Sequence, residues 1–181
     1  MPKSLKLKLE KIRNQKYKSK DFIIADAKDG DLAMGITTPG PLRDNQGKII
    51  QGFKKLKDYK KAMEVMTKSN LVDIMLMSAS VGESLVEKKV FKSSPVTPAI
   101  RMNDTSDIWL MRNSNYRSTN PRPFRSARIE RVSKLVNLGL FSVTFSKNVD
   151  FDLAMLNSYR NFRMESLKYK FAHFLEVFNP P

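Results

Sequence analysis

Residues 21–31 read DFIIADAKDGD. A short apolar run, FIIADA (22–27), ends abruptly in Asp26, Lys28, Asp29 and Asp31. Four other runs have the same length and character: VDIMLMSA (72–79), VTPAIRM (96–102), LFSVTF (140–145) and HFLEVF (173–178). They are continuous rather than alternating, the pattern of parallel strands covered on both faces. Amphipathic stretches fill the gaps. Leu56, Tyr59, Met63 and Met66 recur at three and four residues, Ile129, Val132 and Val136 form one stripe, and Leu153, Leu156, Tyr159 and Phe162 form a looser one. Alternating strands and helices predict an α/β protein with a parallel sheet and right-handed crossovers. The methionines read as core filler.

Two segments stand apart. Residues 30–55 follow the first strand, and their Gly and Pro content argues against regular structure over much of that length. Residues 112–128, RNSNYRSTNPRPFRSAR, hold five of the eleven arginines. Connections this long inside a compact domain are commonly functional or disordered.

Composition narrows the function classes. With 181 residues and 41% hydrophobic content, the chain reads as a single domain, residues 1–181, with a basic N-terminal helix or extension over 1–20. It contains no cysteine, which removes disulfides and thiolate sites and fits a reducing cytoplasm. No run approaches the roughly 18 apolar residues of a membrane span, so no membrane partner is expected. Thirty-three Lys and Arg against eighteen Asp and Glu give a formal charge of +15. That balance favours anionic partners, although much of the excess lies on helical stretches as a solvated face.

In α/β proteins ligands gather beyond the carboxyl ends of parallel strands. Each run here turns polar at that end, supplying Asp26 and Lys28, Ser78 and Ser80, Arg101, Asn103, Asp104 and Thr105, Thr144, Ser146 and Lys147, and Glu176 and Asn179. Alternation puts Asp26 and Lys28 on one face of the first strand. The lone histidine, His173, reads as structural, and a zinc site needs about three protein ligands, usually including His or Cys. No GxGxxG, GxxxxGK or GxSxG pattern occurs where it would serve nucleotide or acyl chemistry. The expectation is therefore no metal, no cofactor, and carboxylate, lysine, arginine and asparagine chemistry on a carbonyl compound or a phosphorylated small molecule such as a sugar phosphate.

The segments FIIADAKDGD, VDIMLMSAS, TPAIRMNDTSDIW, LFSVTFSKNVDFDLAML and HFLEVFNP, in this order, resemble the aldolase-type (β/α)8 barrels related to the tagatose-bisphosphate and class I fructose-bisphosphate aldolases. The resemblance implies a TIM-barrel fold, incomplete here, with five βα units in the order 1-2-3-4-5. It implies a carbon–carbon lyase in which Asp26 and Glu176 are catalytic, while Lys28, Arg101, Asn103, Asp104, Ser78 and Lys147 contact substrate. Its Schiff-base lysine would lie on a sixth strand, beyond residue 181, so that this chain alone is inactive and reads as a truncated product or a half-barrel that assembles with another chain. A homo-oligomer fits the same picture. Two alternatives stay open: a barrel of the same ancestry with different chemistry, and a basic nucleic-acid-binding protein using residues 112–131, where arginines interleave with Tyr116 and Phe124. Nucleic acid is the less expected partner, since no recognised motif accompanies the arginines.

Overall fold

The structure, a computed structural model, describes residues 2–31, 35–103 and 127–178. Its elements are α1 (Ser4–Arg13), β1 (Ala25–Lys28), β2 (Pro41–Arg43), β3 (Ile49–Phe53), α2 (Leu56–Ser69), β4 (Ile74–Met77), α3 (Ala79–Glu87), β5 (Thr97–Arg101), α4 (Ile129–Val132), β6 (Leu138–Thr144), α5 (Val149–Lys168) and β7 (Ala172–Phe178). Hydrogen bonding orders five strands as β1-β4-β5-β6-β7, the α/β parallel sheet that the apolar runs predict. The expected uninterrupted order 1-2-3-4-5 is not matched exactly, because two more strands intervene in the chain. These are β2 and β3, an antiparallel hairpin inside the segment expected to be irregular. Asp44 and Gly47 make its turn: the Asp44 carboxylate accepts from the Gln46 and Lys48 amides, and Gly47 takes a φ of 81° that disfavours a side chain.

The chain divides into two compact units, residues 1–98 and 99–181. In the first, β4 is buried along its whole length. Met63 and Thr67 of α2 and Val81 and Leu85 of α3 are buried with it. The Asp58 carboxylate accepts the Lys55 amide at the start of α2, and Asn70 closes the helix in the left-handed conformation. Ser78 caps α3 by accepting from Val81.

The amino ends of these strands are tied to α1. Lys8 Nζ donates to Asp73 Oδ2 at 2.7 Å and to the Phe22 carbonyl at 2.8 Å. The same Asp73 oxygen accepts the Ile24 amide at 2.8 Å, and the Asp73 carbonyl accepts the Thr97 amide. Lys3 Nζ donates to the carbonyls of Phe91, Ser94 and Val96, each at 2.9 Å. Burial draws the Lys3 ammonium below its ordinary pKa. Burial pushes Asp73 the other way, but Lys8, the Ile24 amide and Ser4 outweigh it and hold the carboxyl below its usual value.

In the second unit β6 is buried throughout. It pairs with β7 from Leu138↔Ala172 to Thr144↔Phe178, and with β5 at Ile100↔Gly139 and Arg101↔Leu140. Gly139 is required by close approach: a Cβ there would fall 2.6 Å from Met102 Cγ and 2.7 Å from Phe171 Cε1. Phe141 stacks against Tyr159 and Phe162 of α5, with ring centroids 5.1 and 4.8 Å apart. Asn148 caps α5 by accepting from Phe151, and Asp150 and Asp152 face the positive end of its dipole.

Three expectations need correction. The first strand begins at Ala25, so Phe22, Ile23 and Ile24 precede it and are exposed. Burial on both faces holds for β4 and β6, whereas β1 alternates between exposed and half-buried residues and β7 mixes the two, both at the ends of the sheet. On α5 the expected stripe is only half right, since Phe162 is buried while Leu153 and Leu156 are exposed and Met155 and Ser166 take their place. Ile129, Val132 and Val136 are all buried as the sequence predicts, although α4 is a single turn.

Replacing Asp73 with Ala should cost roughly 2–4 kcal/mol in urea denaturation, because it strands the Lys8 ammonium and the Ile24 amide. The Asp73 carboxyl is depressed in the folded state, so its contribution is complete above the ordinary carboxylate value of about 4 and fades as pH falls through the lower folded value. The gap between the wild type and Asp73→Asn should therefore close below about pH 4.

Candidate functional site

Each unit carries a polar cluster at the carboxyl ends of its strands. In the first, Asp26 pairs in register with Met75 and Lys28 with Met77. The twofold period of the strand puts both side chains on one face, and Lys28 Nζ lies 2.8 Å from Asp26 Oδ1. The other Asp26 oxygen, Oδ2, is buried and has no hydrogen-bond partner among the described residues. A carboxylate oxygen in that condition wants a donor.

Beside this pair, Ser78 Oγ donates to Asp31 Oδ2 at 2.6 Å and lies 3.5 Å from Ser80 Oγ. The Thr38 hydroxyl donates to the Gly30 carbonyl and so ties down the turn after β1. Tyr59 reaches the same region from α2. Burial raises its phenol to about 12, the negative charges of Asp31, Asp29 and Asp26 add to the rise, and a hydrogen bond with the Gly30 backbone opposes it. Tyr59 thus stays a neutral hydrogen-bonding phenol across the physiological range. No group of His, Asp and Glu among the described residues is arranged to hold a metal ion.

The second unit carries a chain of contacts. Arg101, the last residue of β5, donates from Nε to the Asn103 carbonyl at 2.9 Å. The Asn103 side chain donates to the Ser142 carbonyl at 2.8 Å and accepts the Ser142 amide at 2.7 Å. It is fully buried and does for β6 what a further residue of β5 would have done. Ser142 Oγ then donates to Glu176 Oε2 at 2.8 Å, across the pair Ser142↔Glu176 in the β6–β7 register. Glu176 itself is half-buried.

The structure therefore brings Asp26 together with Lys28, and links Arg101, Asn103 and Glu176 through Ser142. Ser78 meets Asp31 instead of standing alone. Lys147 follows β6 in the left-handed conformation, with an exposed side chain. Asp104, Thr105 and Asn179 lie outside the described residues, as do residues 112–126 of the arginine-rich segment. His173 has a structural setting. Its Nε2 is 3.2 Å from the Tyr159 hydroxyl, its ring meets Tyr159 and Phe162 edge-on, and burial followed by the charge of Arg163 lowers its pKa.

Two participants escaped the sequence reading. In sequence Tyr59 reads as part of an apolar helix stripe, and Ser142 lies within an apolar run. A hydroxyl in the middle of LFSVTF was the available signal, since a buried strand keeps a serine only if its hydroxyl is bonded.

No protein-family model matches the chain, and no curated protein matches it.

The Asn103 contacts give a sharp test. Asn103→Ala should lose roughly 2–3 kcal/mol, because both backbone groups of Ser142 lose their partner in a buried position. Asn103→Asp should be worse at neutral pH, where a carboxylate oxygen would face the Ser142 carbonyl. Folding raises the pKa of that new carboxyl, so the penalty is complete above the raised value, shrinks as pH falls through it, and is relieved by about pH 4. Thermal unfolding of both variants between pH 3.5 and 7.5 reads this directly.

Proposed function

We propose that the protein handles a small carbonyl compound, phosphorylated or rich in hydroxyls, in aldolase-like cleavage or formation of a carbon–carbon bond. The observation that carries the reading is the half-satisfied Asp26 carboxylate. One oxygen is engaged by Lys28 at 2.8 Å, and the other is buried without a partner among the described residues. A substrate hydroxyl would supply the missing donor, and the Lys28 ammonium would bind a carbonyl or phosphate oxygen. In aldol cleavage the hydroxyl loses its proton to a base as the adjacent C–C bond breaks, and the bond's electrons pass to the carbonyl or its iminium. Asp26 is the candidate base in this reading.

The reading gives Lys28 an electrostatic role. An ammonium ion-paired with Asp26 has no free lone pair for attack on a carbonyl, so the iminium-forming amine is a different lysine. Asn103 is withdrawn from the substrate contacts that the sequence implies: its buried side chain is committed to Ser142, and it positions Glu176 at one remove. Support for the lyase class is otherwise the resemblance in the strand motifs.

Borohydride reduction in the presence of dihydroxyacetone phosphate or glyceraldehyde 3-phosphate, followed by peptide mass mapping, tests the assignment. Any adduct is expected on a lysine other than Lys28, and an adduct on Lys28 would overturn its role. Calorimetric titration with dihydroxyacetone phosphate should show Lys28→Met weakening binding about tenfold, equivalent to roughly 1.4 kcal/mol. Loss of affinity in Asp26→Asn would accompany it. Failure of the wild type to bind or trap any carbonyl phosphate would sink the lyase reading altogether.

A further inference from the structure

The helix α5 has two apolar faces. One packs inward through Met155, Phe162 and Ser166, all buried. The other is a separate stripe. At about 100° per residue, Val149, Leu153, Leu156, Arg160, Met164 and Leu167 fall within roughly 80° of one another. The five apolar members are between 45% and 81% exposed. Their spacing of four and three residues is that of a coiled-coil seam, and they run the full length of a 20-residue helix. A globular surface scatters its exposed leucines singly; a continuous apolar line marks a contact.

The charges beside the stripe say what fits it. Asp150 and Asp152 occupy the first turn, while Arg160, Arg163 and Lys168 occupy the second half. We propose that α5 docks antiparallel against the α5 of a second copy of this chain. That arrangement sets Asp150 and Asp152 of each copy opposite the Arg163 and Lys168 end of the other, and it opposes the two helix dipoles. A parallel pair would set like charge against like at both ends. With residue 158 near the twofold axis, Val149 meets Leu167 and Leu156 meets Arg160 of the other copy. The Arg160 stem covers apolar surface while its guanidinium reaches water at the edge. The polar residue in the seam favours this register over slipped ones. A helix roughly 30 Å long offers a contact at the low end of specific interfaces, so the dimer is concentration-dependent.

The chain contains no cysteine, so introduced thiols report the geometry without background. A mixture of V149C and L167C chains should form a disulfide-linked heterodimer under mild oxidation. Neither variant alone should cross-link, because its two thiols would be roughly 27 Å apart. Efficient cross-linking of V149C with itself would overturn the antiparallel arrangement. Sedimentation equilibrium of the unmodified chain supplies the second measurement, expected to show a dimer whose dissociation constant rises at least tenfold in L156K/L167E. Those side chains are exposed, so the far-UV spectrum should not change, nor the melting temperature at concentrations where both chains are monomeric. A monomer at about 100 μM, or a dimer untouched by L156K/L167E but dispersed by V177K on the edge strand β7, would overturn the proposal.

Discussion

Asp73 holds the first unit together at the amino ends of its strands. Its carboxylate gathers the Lys8 ammonium from α1 and the Ile24 amide just before β1, while its own amide and that of Ile74 donate to the Ile24 carbonyl. Its carbonyl takes the first amide of β5. One residue thereby fixes where three strands begin. Because β1 pairs with β4 over only four residues, Ala25↔Ile74 to Lys28↔Met77, the ladder alone would specify its register weakly. A slip by one residue would turn Asp26 and Lys28 to the face that Ala25 and Ala27 occupy, and the charged pair would leave the half-buried side of the strand. The geometry at the carboxyl end is thus set by a carboxylate at the other end.

The strands that sequence reading placed best are those with the most to bury. β4 and β6 are buried at every position, and their apolar runs announce them without reference to any partner. The hairpin β2–β3 gave no such signal: Ile49, Ile50 and Phe53 are exposed, so the pattern of a buried strand never arises. Phe22, Ile23 and Ile24 mislead for the complementary reason. They are apolar enough for a strand, yet the ladder starts only at Ala25, and what fixes that start is an aspartate 49 residues away. On α5 a helical period was legible but not its direction, because a helix with two apolar faces leaves periodicity unable to say which one is covered.

Within the sites, local relations were legible and distant ones were not. The Asp26–Lys28 pair follows from the period of two and could be read from three consecutive residues. The bond of Asn103 to Ser142 spans 39 positions and depends on how β5 is registered against β6. From sequence, Asn103 looks like a polar group offered to a ligand. In the fold its amide replaces a missing strand residue, and the contacts run on through Ser142 to the half-buried carboxylate of Glu176. A polar residue at a strand end is informative only after its backbone obligations have been counted.

The same accounting separates the two strand carboxylates of the first unit. Asp26 lies on β1 and Asp73 just precedes its neighbour β4, and each carboxylate binds a lysine ammonium at under 3 Å. Residue type and charge partner do not distinguish them, and Asp73 is only somewhat the more buried. The second donor does. Asp73 Oδ2 also accepts the Ile24 amide, a backbone group that cannot leave without unfolding the strand, so the residue is tied into the fold. Asp26 has Lys28 on one oxygen and nothing among the described residues on the other, so one acceptor stays available after folding is complete. Backbone donors make a carboxylate part of the scaffold, whereas a side-chain donor on one oxygen leaves it able to take a hydroxyl from outside. By that criterion the binding site proposed for the first unit belongs at the carboxyl end of β1, where Asp26 and Lys28 interrupt the apolar run.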